Sequence, residues 1–90
     1  MVLAKVIGSV WATKKEDSLS GNKLLITRCF EPDTNKDLDI IIACDYIGAG
    51  IGDIVIITSG SGARKAQGDK EMLPIDAVIV GIVDQVDLNK

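Results

Sequence analysis

The sequence contains no histidine. That removes the Ser–His and Cys–His relays, together with the imidazole ligands on which most metal hydrolases rely. Aromatic residues make up only 3% of the chain, and Trp11, Phe30 and Tyr46 lie too far apart in sequence to form the stacking platform of a single-strand binder. Cysteine occurs twice. Cys29 and Cys44 sit in apolar runs without CxxC spacing, so they read as two reduced thiols acting as small core hydrophobes. A disulfide between neighbouring strands stays open to them, although a cytosolic setting works against it. A zinc site lacks ligands, and no metal or other cofactor is expected. No apolar run approaches the roughly 20 residues that span a bilayer. The N-terminus enters a strand-like pattern without a basic leader, so a soluble cytosolic chain with no membrane partner is expected. Positive charge is also in deficit. Ten basic residues face 13 acidic ones, for a net charge of −3, which argues against a generic phosphate-backbone binder and predicts no nucleic-acid partner.

What the chain does have is aliphatic mass. Ninety residues make one domain, 1–90, and 47% of them are apolar, almost all Val, Ile, Leu and Ala. A domain this small hides only about 60–65% of its unfolded surface when it folds alone. The surplus therefore points to a subunit interface. Five β-branched runs punctuate the sequence, at 2–12, 23–30, 39–46, 53–59 and 77–86. In the first, Val2, Ala4, Val6, Gly8 and Val10 share one side, and the other side, with Leu3, Ile7 and Trp11, is not cleanly polar. Gly8 and Gly81 fall inside strands, where a missing side chain permits the bends that close a small sheet. The connectors are a polar loop at 14–22, a charged hairpin at 31–37, and a longer stretch at 60–74 in which 63–67 predicts one helical turn. The fold class predicted is all-β: a small OB-like five-stranded barrel with one short helical insertion.

Three segments imitate chemical motifs and fail on spacing. Gly48-Ala49-Gly50-Ile51-Gly52 resembles a dinucleotide loop, but a strand follows it, so no helix N-terminus meets a pyrophosphate. Ser59-Gly60-Ser61-Gly62-Ala63-Arg64-Lys65 lacks the spacing and the metal-binding hydroxyl of a P-loop. Asp33, Asn35 and Asp37 open like a calcium loop, yet Leu38 stands where glycine is needed and Cys44 where a bidentate glutamate belongs. No nucleophile–base pair is positioned, and no catalytic residue is assigned: the chain is predicted not to be an enzyme.

The ordered set of segments resembles a known family. Leu3-Ala4-Lys5-Val6-Ile7-Gly8 and Val10-Trp11-Ala12-Thr13 open it, followed by Leu19-x-Gly21-x-Lys23-Leu24-Leu25-Ile26. Ala43-x-Asp45-x-Ile47-Gly48-Ala49-Gly50-x-Gly52-Asp53-x-Val55 continues it, with Gly60-Ser61-x-Ala63-Arg64 and Pro74-x-Asp76-Ala77 leading into Ile79-Val80-Gly81-Ile82-Val83-Asp84. Over nearly the whole chain this resembles the EutN/CcmL family of bacterial microcompartment vertex proteins. Gly62 and Cys44 are mild departures from the family pattern. The resemblance implies a barrel whose copies close into a homo-pentamer at the five-fold vertices of a shell otherwise tiled by hexameric shell proteins, inside the cytoplasm. A head-to-tail contact with the right rotation closes such a ring. It also implies a use for the glycine turn: Gly48, Ala49 and Gly50 become candidates for the ring's axis or pore, since glycine lets backbones approach closely. Arg64 and Trp11 are the candidates for a subunit-interface or structural role. The charged loops 14–22 and 31–37 are the candidates for the rim that meets hexamers. The alternative is a free-standing OB-type binding module for single-stranded nucleic acid or oligosaccharide, which the acidic balance and scarce aromatics disfavour.

Overall fold

The computed structural model describes residues 1–11, 23–59 and 76–88. Five strands are present: β1 (Val2–Ser9), β2 (Lys23–Phe30), β3 (Asp37–Asp45), β4 (Ile54–Ser59) and β5 (Ala77–Val83). They close into a barrel in the order β1-β2-β3-β5-β4, with β4 returning to pair with β1. Every pairing is antiparallel except the short parallel contact of β3 with β5, at Cys44↔Val78 and Asp45↔Ile79. This is the five-stranded OB arrangement that the sequence predicts. The predicted helical turn at 63–67, the loop at 14–22 and Arg64 all lie outside the described residues.

Alternation fixes which residues enter the barrel. On β2, Leu25, Thr27 and Cys29 are buried while Leu24, Ile26 and Arg28 stay on the outside. On β1 the inward residues are Ala4 and Val6. They meet Leu25, Cys29, Ala43, Val55, Ile57, Ala77 and Ile79 in one core cluster. Alanine recurs there because a five-stranded barrel is too narrow to seat a large side chain from every strand. Thr27 is the buried hydroxyl, and its Oγ1 donates 2.8 Å to the Ile41 carbonyl, which removes the penalty of an unpaired polar group. Register slips between Val6 and Gly8, between Arg28 and Phe30, and between Ile56 and Ile57. Two of these bulges adjoin the in-strand glycines: Gly8 itself, and Gly81, which pairs with Ile56. Bulges of this kind sharpen the twist that closure needs.

The strand ends differ from the sequence expectation by a few residues. β1 stops at Ser9, short of 12, and β5 stops at Val83, where its β4 partner Ile54 begins, so 84–86 have no ladder to join. β3 starts earlier, at Asp37, because the hairpin before it is tight. Glu31 N–H donates to the Lys36 carbonyl (2.9 Å), Asn35 N–H donates to Glu31 (2.8 Å), and Asn35 adopts a left-handed φ of 56°. Asparagine tolerates that conformation better than most residues.

Candidate functional site

Between β3 and β4 the chain makes a rigid, anion-centred turn. Asp45 ends β3 with its side chain completely buried. Its Oδ1 accepts the N–H groups of Ile47 (3.0 Å) and Gly48 (3.2 Å), and Oδ2 accepts that of Ala49 (2.8 Å). Lys23 Nζ donates to the Ala49 carbonyl (2.6 Å) and lies 3.6 Å from Asp45 Oδ2, so the buried carboxylate is both hydrogen-bonded and paired. Asp53 performs a second closure: its Oδ2 accepts from Gly50 N–H at 2.8 Å. Gly52 and Asp53 then bond to Val6 through their backbones, each at 2.9 Å, which fastens the turn to β1.

The glycines of this turn have separate reasons. Gly48 and Gly52 hold φ values of 91° and 95°, where any side chain is strained. Gly50 is not left-handed, and a Cβ there would meet Asp53 Oδ2 at an ordinary 3.8 Å. Ala49 points inward, fully buried as a member of the barrel core. The turn therefore presents Tyr46, Ile47 and Ile51 outward, and Ile51 is 73% exposed. Trp11, beyond the end of β1, is 92% exposed. Sequence reasoning missed Asp45 and Lys23. The available signal was an Asp three residues before a Gly-Ala-Gly run, which lets its carboxylate reach the backbone N–H groups two to four residues on.

The exterior of the barrel is unusually apolar for a small domain. Leu38, Ile40 and Ile42 form a row on the outer face of β3, and Val80 and Ile82 are exposed on β5. Ile26 on β2 stands opposite Ile42 and extends the β3 row. Of the thiols, Cys29 has its pKa raised, first by burial and then by the negative charge of Asp39, so it is a poor nucleophile. Among the described residues no constellation of acid, base and nucleophile comes together, whereas apolar surface on a rigid scaffold is plentiful.

These features define a small OB-type barrel with an apolar exterior, and comparison with known proteins places it. The family described as "Ethanolamine utilisation protein EutN/carboxysome" matches residues 1–84. The bacterial microcompartment shell vertex protein GrpN of Rhodospirillum rubrum is 46% identical over 87 residues, covering 97% of each chain. The shell vertex protein EutN of Escherichia coli is 41% identical over 86 residues, covering 96% of this chain and 90% of EutN. The solved structure of GrpN, a pentameric microcompartment shell protein, superposes with a TM-score of 0.87 at 43% identity, covering 99% of this chain and all of that one. The chain belongs to the EutN/CcmL family.

Proposed function

We propose that this chain is a structural, non-catalytic subunit that closes into a homo-pentamer and caps the five-fold vertices of a bacterial microcompartment within the cytoplasm. The observation that carries the reading is the apolar exterior of a closed barrel whose full-length relatives are named shell vertex proteins. A barrel that has already sealed its sheet has no internal use for Leu38, Ile40, Ile42, Val80 and Ile82, and a neighbouring copy covers such residues. The whole chain, 1–90, acts as one unit. Its hexameric partners meet the rim of the ring, where the hairpin 31–37 offers an acidic, hydrogen-bonded projection. We place the turn Gly48–Ala49–Gly50 beside the ring's axis. In support, the turn is braced by Asp45 and Asp53, and it shows apolar Ile47 and Ile51 on its outside. Trp11 is assigned to the subunit contact on its exposure, and Arg64 is retained as a second contact residue.

Native mass spectrometry tests the reading: the main species should weigh five times the 9.6 kDa chain. Trp11 provides an internal reporter, being the one tryptophan of the chain. Its emission is expected to shift to the red as the ring is diluted apart, and Trp11→Ala is expected to weaken assembly at least tenfold with the circular dichroism spectrum unchanged. A stable monomer at micromolar concentration sinks the vertex reading. An emission maximum that ignores oligomeric state removes Trp11 from the contact.

A further inference from the structure

One outer row of the barrel runs across four strands. Register partners place Ile54 of β4 beside Lys5 of β1, Lys5 beside Arg28 of β2, and Arg28 beside Ile40 of β3. Two cations thus face each other directly, with Cβ atoms about 5 Å apart, the cross-strand arrangement that like charges penalise. Neither is neutralised locally: among the described residues the one ion pair joins Lys23 to Asp45. The charges are also flanked by isoleucines, which deny them the polar surroundings that lysine and arginine usually share on a sheet.

Above the pair opens a cleft of about 220 Å³. Its apolar walls are Ile7, Phe30 and Ile54, and the 31–37 hairpin contributes Asn35 and Asp37, the latter beside Phe30 in the β2–β3 register. Both residues are fixed in place. The hairpin is closed by its own backbone bonds and by Thr34 Oγ1, which donates to Glu31 Oε2 at 3.2 Å and accepts from Lys36 N–H at the same distance. Asn35 holds its left-handed φ of 56° there. Asp37 lines the cleft without an ion pair to either cation, so the lining holds two positive charges and one negative charge.

We propose that this cleft is a receptor for a carboxylate carried next to an apolar group. The carboxylate lies between Lys5 and Arg28, where the guanidinium fork offers paired donors, and the apolar part lies against Phe30 and Ile54. A monoanion balances the net positive charge of the lining, whereas a phosphate dianion exceeds it and is repelled by Asp37. The carboxylate has two sources: a free short-chain carboxylic acid, or an acidic side chain of a second copy of this chain. The second source rests on the pentamer reading, and the first does not.

The test uses the full-length protein in its native assembly, with two arms. In the first, ¹H–¹⁵N and methyl spectra follow titration with hexanoate, with hexanol as the neutral isostere. If the acid is free, hexanoate at millimolar concentration moves the Arg28 side-chain and the Ile7 and Ile54 methyl signals, and hexanol does not. Lys5→Gln and Arg28→Gln each weaken the effect about tenfold, the size of one charge-assisted hydrogen bond. Arg28→Lys retains part of it, and Lys36→Gln, on the same hairpin but outside the cleft, changes nothing. In the second arm, ring mass is followed on dilution without added acid. If the acid belongs to a neighbour, the cleft signals ignore hexanoate, and the two Gln variants fall apart at concentrations at least tenfold above wild type. A monomeric chain that binds hexanoate as stated keeps the receptor and refutes the pentamer. A normal pentamer whose cleft ignores hexanoate, and whose Gln variants dissociate like wild type, overturns the receptor alone. Equal responses to hexanoate and hexanol overturn it as well, since an apolar slot then explains the cleft.

Discussion

Replacing Asp45 with alanine is the sharpest test of how this fold holds its turn. The carboxylate is fully buried and accepts from three consecutive backbone N–H groups, at 3.0, 3.2 and 2.8 Å. The three losses are not equal. Ala49 is completely buried, so its N–H has nowhere to turn once the acceptor is gone, at a cost of about 1–3 kcal/mol. Ile47 and Gly48 lie toward solvent, and their N–H groups regain water, so each loses about 0.5–1 kcal/mol. Asp45→Ala should therefore destabilise the protein by about 2–5 kcal/mol, read from urea unfolding at one fixed protein concentration. Lys23 provides the contrast. Its side chain is 51% exposed, so its ion pair to Asp45 is screened and worth about 1 kcal/mol or less. Lys23→Met removes that pair and the bond to the Ala49 carbonyl, and still should cost clearly less than Asp45→Ala. An Asp45→Ala protein within about 0.5 kcal/mol of wild type would refute the bracing role. A Lys23→Met variant as unstable as Asp45→Ala would show that the ion pair, and not the N–H cradle, holds the turn.

Three further outcomes are expected. Gly48→Ala and Gly52→Ala should each cost about 1–2 kcal/mol, because both positions are left-handed. Gly50→Ala should stay within about 0.5 kcal/mol of wild type, since its Cβ makes an ordinary contact; equal losses at all three would contradict the conformational argument. Tyr46, the only tyrosine, has its pKa raised to about 12, mainly by burial and then by its hydrogen bond to Cys44. The neutral phenol is therefore favoured in the folded state: its contribution to stability is full below about pH 10 and is lost as pH climbs towards about 12, though the ring is 47% exposed and the effect small. Phenolate absorbance checks the midpoint, and a midpoint near 10 in the folded protein contradicts it. Ile40→Thr with Ile42→Thr keeps β-branching on β3 and should leave the unfolding of the isolated barrel nearly unchanged, as these side chains are 52% and 55% exposed. If their row is covered in the ring, dissociation should move to concentrations at least tenfold higher by native mass spectrometry, and an unchanged value removes β3 from the interface.

Much of the fold was legible because a narrow barrel writes its requirements plainly. The five β-branched runs marked the strands, but on β2 the face with Leu24, Ile26 and Phe30 is as apolar as the one with Leu25, Thr27 and Cys29, so only the closed barrel decides which turns inward. The early start of β3 was not legible. Asp37 and Asp39 are poor strand formers, and only the hairpin's own hydrogen bonds set Asp37 opposite Phe30. The turn 45–53 was half-read. A run of glycines signals unusual backbone, but which of them is left-handed depends on where the Asp45 and Asp53 carboxylates land, and composition is blind to that. Ala49 was grouped with its glycine neighbours as a candidate for the axis. Its side chain goes to the barrel core because the Asp45 cradle rotates the turn inward at that residue. The cationic pair was invisible for another reason: Lys5 and Arg28 are 23 positions apart in the sequence and become neighbours only through the β1–β2 register.

The apolar exterior follows from the same geometry. Closing five strands leaves an interior that Ala4, Ala43, Ala49 and Ala77 help to fill, so the core has no room for more large aliphatic side chains. Yet strands favour Ile and Val, and this chain places Ile on both faces of β3 and β4: Ile41 against the core and Ile40 and Ile42 outside, Ile57 inside and Ile54 and Ile56 outward. A free-standing barrel gains nothing from the outer set and risks aggregation through it. In a ring, that set adds buried area without enlarging the barrel, which lets a chain of 90 residues reach stability that its own core does not supply. Folding and assembly are then two uses of one composition. The inward half closes the barrel; if the outward half closes the ring, substitutions on the two halves should separate cleanly into those that lower unfolding free energy and those that only change the concentration at which the ring forms.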